Sequence, residues 1–213
     1  MTNATYWQQK WETNNIAFHE SQANPALVNN IAQLSLAPGA RVFVPLCGKT
    51  LDIHWLLAQG FRVAGAELVE LAVQQLFQEL GVEPQVETVG PLKRYSAENI
   101  DIFVGDIFQL SAEVLGPVDA VYDRAALVAL PREVRDRYAA HLVQLTHTAR
   151  LLVVVFEYDQ RQMSGPPFSI SAEEMHQHYG QSYEPKLTAS RKMPNKLKGQ
   201  CVAQEHVWIL SQG

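Results

Sequence analysis

Short apolar runs alternate along this chain with segments of helical pattern, and this alternation restricts the possible folds more than any other feature. Five runs predict buried strands, at 41–46, 62–67, 100–104, 118–122 and 151–156. Helices are expected at 51–59 and 69–80, with Gly60 and Gly81 ending them. Strand, helix, strand, helix at this spacing requires right-handed crossovers, so the sequence predicts a doubly wound, mostly parallel α/β sheet.

The pattern changes after Gly165. A helix is expected at 171–179, with Ser171 as its N-cap and Glu174 three residues further on. Strands near 183–190 and 201–210 then predict an antiparallel closing edge, which makes seven strands. Neither a repeat nor a linker interrupts the 213 residues, so one domain is expected, with residues 1–35 as an N-terminal helical lid and 36–213 as the α/β core.

Composition restricts the partners. The net charge of −5 disfavours a nucleic-acid or anionic-membrane surface, both of which favour basic patches. The polar start does not resemble a signal peptide, and no window approaches the roughly 18 apolar residues that span a bilayer. Cys47 and Cys201 lie far apart without metal-ligand spacing, which predicts neither a disulfide framework nor a metal site and favours the cytoplasm.

Two nucleotide-binding motifs are incomplete. Gly48-Lys49-Thr50 follows a strand, but a P-loop also needs a glycine five positions earlier, where this chain has Phe43. Pro45 further removes an amide donor from the turn. A dinucleotide fingerprint needs three glycines, of which only Gly48 is present. Triphosphate and pyrophosphate ligands are therefore disfavoured.

An acidic residue ends the second strand. Glu67 lies 19 residues after Gly48, which is the spacing at which doubly wound folds place a carboxylate on a ribose diol. The alternative is a glutamate favoured by a helix dipole. A ribose without a pyrophosphate indicates a nucleoside-type cofactor, and S-adenosyl-L-methionine is the leading candidate.

Polar residues also follow the third and fourth strands. The carboxylate of Asp106 can accept a hydrogen bond from the exocyclic amine of an adenine, and Ile107 can cover the ring. The alternative is that Asp106 is an ordinary aspartate in a turn. Asp123 and Arg124 fall where a switch-point crevice is expected, although they can instead pair with each other or face solvent.

Three other side chains allow two interpretations. Trp7 and Trp11 lie four residues apart on one helical face, either packed on the core or forming an aromatic lid over a ligand. Cys47 is either a nucleophile or a small residue in a tight turn. The turn is favoured, because the sequence offers no evident base to activate the thiol.

Together these residues resemble the thiopurine S-methyltransferases, and the bacterial members most closely. The resemblance extends over almost the whole chain and rests on Trp7-x-x-x-Trp11, Phe18-His19, Pro45-Leu46-Cys47-Gly48-Lys49, Glu67, Asp123-Arg124-Ala125-Ala126-Leu127-Val128-Ala129-Leu130 and Gly165-Pro166-Pro167-Phe168.

The resemblance implies a class I methyltransferase fold and methyl transfer from S-adenosyl-L-methionine to the sulfur of a thiopurine. It implies a small-molecule acceptor and a cytoplasmic monomer. Bacterial members are associated with methylation of selenium and tellurium compounds and with tellurite resistance. Six residues match the family's cofactor side, namely Trp11, Leu46, Glu67, Asp106, Ile107 and Arg124. Phe18 matches a position near the acceptor, whereas the basic loop from Arg191 to Lys198 departs from the vertebrate pattern.

The expected mechanism depends on positioning. Displacement at a sulfonium methyl group needs a lone pair about 3 Å from the carbon, and an ionised sulfur needs no strong general base. Arg124 is expected to favour the thiolate form by charge pairing, while Trp11 and Phe18 exclude water. Three alternatives stay open: a nicotinamide oxidoreductase, a methyltransferase for an oxygen, nitrogen or halide acceptor, and a protein that binds the cofactor without turnover.

Overall fold

The strands of the computed structural model form one sheet, and the structure describes residues 4–16 and 19–212. Within these residues there are nine strands, numbered in chain order: β1 Arg41–Pro45, β2 Arg62–Glu67, β3 Gln85–Val89, β4 Leu92–Ala97, β5 Ile100–Val104, β6 Ala120–Arg124, β7 Arg150–Glu157, β8 Glu184–Lys192 and β9 Gln204–Ser211. They lie side by side in the order β3-β4-β5-β2-β1-β6-β7-β9-β8.

Five central strands, β5, β2, β1, β6 and β7, run parallel to one another. Strand β9 is antiparallel to both of its neighbours, β7 and β8, as the closing edge predicts. Most of β7 is buried, because helices cover both faces of the centre of the sheet. The predicted doubly wound architecture and all seven expected strands are confirmed.

The two additional strands form a hairpin at one edge. β3 and β4 pair antiparallel, and β4 joins β5. Every residue of β3 is exposed or half-buried, so this strand carries no continuous apolar run that would mark it in the sequence.

Seven α-helices lie within the described residues: α1 Ala4–Glu12, α2 Pro25–Asn30, α3 Leu51–Ala58, α4 Glu70–Leu80, α5 Ala112–Leu115, α6 Arg132–Leu145 and α7 Ala172–Tyr179. Helices α2, α3 and α4 pack on one face of the sheet, and α6 and α7 pack on the other. The Ser171 hydroxyl accepts a hydrogen bond from the Glu174 amide at 3.2 Å, so the predicted cap is confirmed. Sequence reasoning did not identify α6. None of the helices described is long and apolar enough to cross a membrane.

The chain turns sharply where the central strands end. Leu46 follows β1 with φ +48° and Ala125 follows β6 with φ +62°, both in the left-handed region that non-glycine residues rarely adopt. Such conformations cluster at functional sites, where the surrounding structure holds them. These turns bring the carboxyl ends of β1, β2, β5 and β6 around one cleft.

Candidate functional site

A cleft of about 390 Å³ lies at the carboxyl ends of the central strands. Pockets of this size take nucleoside-sized or drug-sized ligands. All six residues predicted for the cofactor line it: Trp11, Leu46, Glu67, Asp106, Ile107 and Arg124. Phe18, the predicted acceptor contact, lies outside the described residues.

Glu67 occupies the end of β2 and is almost fully buried. One carboxylate oxygen accepts a hydrogen bond from the Gly48 amide at 2.7 Å, and the other accepts from the Val69 amide at 2.9 Å. Burial raises the pKa of Glu67, and these backbone bonds oppose that rise. Val69 is the N-cap of α4, so the carboxylate satisfies a helix terminus. The Val69 amide supports the interpretation at a helix terminus, and the ribose contact stays a prediction.

The turn after β1 holds Cys47 and Gly48, and Gly48 lies against the indole of Trp11. The Cys47 amide donates to the Ala66 carbonyl at 3.0 Å, and its thiol is buried. Burial and the nearby Glu67 raise the pKa of Cys47 well above its usual range, so the thiol stays protonated. This geometry favours the tight-turn interpretation over the nucleophile.

Trp11 packs against α4. Its indole lies in a cluster with Val69 and Ala72, and Trp7 and Ile16 contact that cluster. Trp7 and Trp11 also line the cleft. The two interpretations of this aromatic pair are compatible, because the same face that packs on α4 closes one side of the cleft.

Asp106 follows β5 and caps a short 3-10 turn, Ile107–Gln109. One of its carboxylate oxygens accepts from the Phe108 amide at 3.1 Å. Ile107 is buried, and its carbonyl lies 2.8 Å from Nε2 of His141. Asp106 is therefore a turn aspartate that also lines the cleft.

Asp123 and Arg124 point to opposite sides of the sheet and do not pair with each other. The fully buried carboxylate of Asp123 accepts from the Tyr138 hydroxyl at 2.7 Å and from the Leu127 amide at 3.0 Å. Burial raises the pKa of Asp123 to about 6. Arg124 faces the cleft with 13% of its side chain exposed, and its Nη2 lies 2.5 Å from Oε1 of Glu20. Of the pair, only Arg124 lines the cleft.

A second carboxylate lies beneath Arg124. Asp52, in the first turn of α3, is buried with Oδ2 at 3.9 Å from Nη1 of Arg124. Its oxygens accept from the Asn24 amide at 2.6 Å and from the Tyr122 hydroxyl at 3.0 Å. Asp52 thus joins the segment before α2, helix α3 and strand β6 at the floor of the cleft.

The basic loop between β8 and β9 reaches the cleft. Met193, Leu197 and Lys198 line it, and the Lys198 ammonium donates to the Pro166 carbonyl at 2.6 Å. Hence the basic loop, which departs from the vertebrate pattern, contacts the Gly165-Pro166-Pro167-Phe168 segment, which carries part of the resemblance, and both line the cleft.

Sequence reasoning did not single out Glu20 or Asp52, and it named Lys198 only as the end of the basic loop. Glu20 directly follows the Phe18-His19 pair, and Asp52 lies two residues after the helix cap Thr50. An acid in the first turn of a helix is common, so Asp52 carries no distinctive signal. Glu20 lies before α2 and matches no motif.

The donor set fits a nucleoside cofactor. The buried carboxylate of Glu67 retains lone pairs beyond the two backbone bonds, which suits a pair of vicinal hydroxyls. The turn 46–48 offers no glycine-rich nest for a pyrophosphate. Among the residues that the structure describes, no three His, Cys, Asp or Glu side chains are grouped to hold a metal ion.

Comparisons with known proteins agree with this geometry. A family model described as thiopurine S-methyltransferase matches residues 2–212. A thiopurine S-methyltransferase of Xanthobacter autotrophicus is 57% identical over 208 residues, covering 97% of this chain and 98% of that protein. One of Gluconobacter oxydans is 49% identical over 210 residues, covering 99% and 96%.

Solved structures share the architecture at low identity. The 1,6-didemethyltoxoflavin-N1-methyltransferase of Burkholderia thailandensis, solved with S-adenosylhomocysteine, has a TM-score of 0.67 at 18% identity and covers 98% of this chain and 87% of its own. Magnesium protoporphyrin IX methyltransferase of Synechocystis, solved with S-adenosylmethionine, has a TM-score of 0.65 at 16% identity, covering 99% and 98%. These likenesses confirm the predicted class I fold.

Proposed function

The chain belongs to the thiopurine S-methyltransferase family, and we propose that its acceptors are thiopurines and similar soft nucleophiles. It is an S-adenosyl-L-methionine-dependent methyltransferase. The proposal rests on one observation. The carboxylate of Glu67, at the position where doubly wound folds bind a ribose, and the guanidinium of Arg124 line the same cleft. The products are S-adenosyl-L-homocysteine and the S-methyl compound.

We propose that Glu67 binds the ribose hydroxyls while Leu46, Asp106 and Ile107 surround the rest of the nucleoside. Trp11 covers this end of the cleft. When bound, S-adenosyl-L-methionine supplies an electrophilic methyl group. The chain's contribution is to hold that group in line with the acceptor sulfur and to exclude water.

Arg124 is proposed to act at the acceptor side and on the cofactor. Its guanidinium is mostly buried and is a hydrogen-bond donor without an acceptor, so it stabilises an anion rather than acting as a base. A thiolate near this cation is favoured over the thiol, because an opposite charge within about 4–6 Å lowers a thiol pKa. Phe18 is proposed to contact the acceptor, as the family resemblance implies.

Calorimetry and a panel of acceptors test the function. S-adenosylhomocysteine is expected to bind one site per chain and to raise the melting temperature, since a ligand bound only to the folded state stabilises it. Mass spectrometry then measures methyl transfer to thiopurines, aliphatic thiols, selenols and tellurium compounds, against oxygen, nitrogen and halide acceptors. Absence of a thermal shift with millimolar ligand would contradict the proposal.

The same panel separates the alternatives. Binding without product from any acceptor would indicate a cofactor-binding protein, and transfer only to oxygen, nitrogen or halide would replace the sulfur acceptor. Transfer to selenium or tellurium compounds would support the proposed role in tellurite resistance. A fluorescence change on adding a nicotinamide dinucleotide would indicate an oxidoreductase instead.

We also propose that residues 1–213 act as one domain, with residues 1–35 as a lid over 36–213, and that the chain is a cytoplasmic monomer. Cys47 and Cys201 are both unpaired and buried, which fits a reducing compartment. Analytical ultracentrifugation with and without S-adenosylhomocysteine measures the oligomeric state.

A further inference from the structure

His19 lines the cleft on the same segment as Glu20. Its backbone amide donates to the Ile16 carbonyl at 2.7 Å, which fixes the start of the side chain. Among the described residues the imidazole ring makes no hydrogen bond, so both ring nitrogens are available to a ligand in the cleft.

Four charged groups surround this imidazole from different elements. Lys49 follows β1 and Arg124 ends β6, while Glu79 lies on α4 and Glu20 is the next residue in the chain. Each cation already forms an ion pair with a carboxylate. Nζ of Lys49 lies 2.5 Å from Oε1 of Glu79, and Nη2 of Arg124 lies 2.5 Å from Oε1 of Glu20. The four charges therefore sum to zero around His19.

The surroundings of His19 favour its neutral imidazole. Burial lowers the pKa of His19 below its usual 6.5, Lys49 and Arg124 lower it further, and Glu79 and Glu20 oppose them in part. A neutral imidazole has one ring nitrogen with a free lone pair, which is the state that accepts a proton.

Four other titratable groups of the cleft already have partners or hold their proton. Both oxygens of Glu67 accept backbone amides, and Asp52 accepts from an amide and a hydroxyl. Glu20 is paired with Arg124, and the Cys47 thiol stays protonated. Of the groups beside Arg124, His19 is therefore the candidate base, while Asp106 follows β5 and is proposed to surround the nucleoside.

We propose that His19 is the proton acceptor for thiol substrates that are not already ionised, an inference that rests on the proposed sulfur acceptor. The S–H bond breaks, its electron pair stays on sulfur, and the proton forms an N–H bond on the imidazole. The resulting thiolate and imidazolium form an ion pair, with Arg124 as a second cation beside the sulfur. The sulfur then forms the bond to the methyl carbon as the sulfonium–methyl bond breaks, its electrons remaining on the cofactor sulfur. The imidazolium returns its proton to solvent.

Turnover across a thiol series tests this assignment. Aromatic and aliphatic thiols of graded acidity are compared at saturating cofactor and fixed pH in the wild type and in His19→Asn. We expect the variant to lose 100-fold or more for the least acidic thiols, within the roughly 10²–10⁴-fold that a positioned base contributes. For thiols already ionised at the assay pH the loss is expected to stay near twofold.

His54→Asn is the matched control. His54 lies on α3 away from the cleft, and burial lowers its pKa as well. Its replacement is expected to leave turnover and its dependence on thiol acidity unchanged. An equal loss for all thiols in His19→Asn, with the wild-type pH profile retained, would overturn the assignment.

A readout without turnover separates this inference from the proposed function. Thiol binding to the protein with S-adenosylhomocysteine is followed by thiolate absorbance, and calorimetry in two buffers of different ionisation enthalpy counts the protons released. Below the pKa of the thiol, we expect the wild type to show thiolate without proton release, because His19 keeps the proton. In His19→Asn we expect one of two results. Either the thiol binds in its neutral form, without thiolate absorbance, or it binds as the thiolate and releases one proton to the buffer.

The outcomes are distinct. Thiolate with equal proton release in the wild type and His19→Asn overturns the role of His19, whether or not the methyl group is transferred. A third result is that only the wild type retains the proton and no sulfur acceptor is methylated. This result would contradict the proposed function and support His19 as the proton acceptor. A thiol that neither binds nor reacts overturns both.

Discussion

The amide nitrogen of Gly48 lies 2.7 Å from Oε2 of Glu67, so a single carboxylate joins the turn after β1 to the end of β2. Its other oxygen holds the start of α4 through the Val69 amide. Because both oxygens are fixed by backbone donors, their remaining lone pairs have set directions. Such a carboxylate is prearranged for two adjacent hydroxyls.

Replacing Glu67 with glutamine is expected to weaken S-adenosylhomocysteine binding by on the order of 1–3 kcal/mol. Glutamine keeps one acceptor oxygen, but its NH2 group cannot accept from a backbone amide or from a donating hydroxyl. Calorimetry of the purified variant measures the dissociation constant. Glu113→Gln, on the distant helix α5, is the control. An unchanged dissociation constant in Glu67→Gln would restrict Glu67 to its role at the start of α4.

Gly48→Ala is expected to disturb both the turn and the indole above it. Gly48 has φ +53°, and an added Cβ would lie 2.9 Å from Cζ2 of Trp11. Gly81→Ala is the matched control, since Gly81 has φ +70° and no atom within 4 Å of an added Cβ. Each alanine costs about 1–2 kcal/mol of backbone strain. Only Gly48→Ala is expected to displace Trp11 and to weaken S-adenosylhomocysteine binding by about tenfold, as calorimetry measures. Equal affinities in the two variants would contradict a role for Trp11 over the cleft.

Strand ends were predictable because burial leaves a pattern in the sequence. The apolar run of β2 and the acid that ends it located Glu67, and the spacing from Gly48 related two turns that do contact each other. The hairpin of β3 and β4 was not predictable in this way, because β3 is exposed or half-buried throughout and β4 buries only Leu92 and Tyr95, so neither strand has an apolar run. The periodicity of apolar residues reports which side chains are buried, and an exposed edge strand such as β3 buries few of them.

Pairing partners could not be read from the sequence. The prediction that Arg124 faces a crevice did not identify Glu20 or Asp52, since both approach from segments far away in the chain. Asp123 and Arg124 are adjacent and oppositely charged, yet successive residues of a strand point to opposite faces. Asp123 therefore meets Tyr138 on α6, a helix that sequence reasoning did not identify.

Asp123→Asn is expected to change how stability depends on pH. The folded-state pKa of Asp123 is about 6, above its usual 3.8, so the folded protein binds this proton more tightly than the unfolded chain. The resulting stabilisation is present below pH 3.8 and is lost as the pH rises through 6. Between pH 4 and pH 7 the variant should gain stability relative to the wild type by on the order of 3 kcal/mol.

Urea unfolding at pH 4.5, 5.5 and 7 measures this difference, and the other titrating groups cancel between the two proteins. Asparagine keeps an oxygen for the Leu127 amide, and its NH2 group can donate to the Tyr138 hydroxyl, so the fold is expected to persist. Tyr138→Phe is the control that removes the hydroxyl without removing the charge. A constant difference between Asp123→Asn and the wild type across this range would show that Asp123 does not titrate there.

Glu20→Gln is expected to free Arg124 without removing it. The ion pair at 2.5 Å holds the guanidinium, and the Glu20 carboxylate competes with any anion that approaches this cation. Neutral glutamine should lower the apparent Michaelis constant for anionic acceptors more than for neutral ones. Steady-state kinetics with a charged and an uncharged thiol measure the ratio. Glu12→Gln, at the end of α1, is the control. An identical change for both acceptors would show that Glu20 does not compete for the cation.

Substitutions of Arg124 distinguish two roles for this residue, namely anchoring the cofactor and stabilising the acceptor. If Arg124 only anchors, Arg124→Lys should raise the apparent Michaelis constant of the cofactor and leave turnover nearly intact. If Arg124 also stabilises an anionic sulfur, turnover should fall as well, most for the least acidic thiols. Lysine keeps the charge and loses the planar fork, so it tests geometry, whereas Arg124→Ala removes both.

We expect the dual role, because the guanidinium is mostly buried and its present partner, Glu20, is partly exposed to solvent. Turnover for a thiol series at saturating cofactor decides between the two. Arg150→Lys is a control of the same chemistry, since Arg150 begins β7 at the opposite end of the sheet and donates to the Leu34 carbonyl at 2.7 Å. Wild-type turnover across the whole series in Arg124→Lys and Arg124→Ala would eliminate an acceptor-side role. Loss of turnover in both, graded by thiol acidity, would place the guanidinium beside the reacting sulfur.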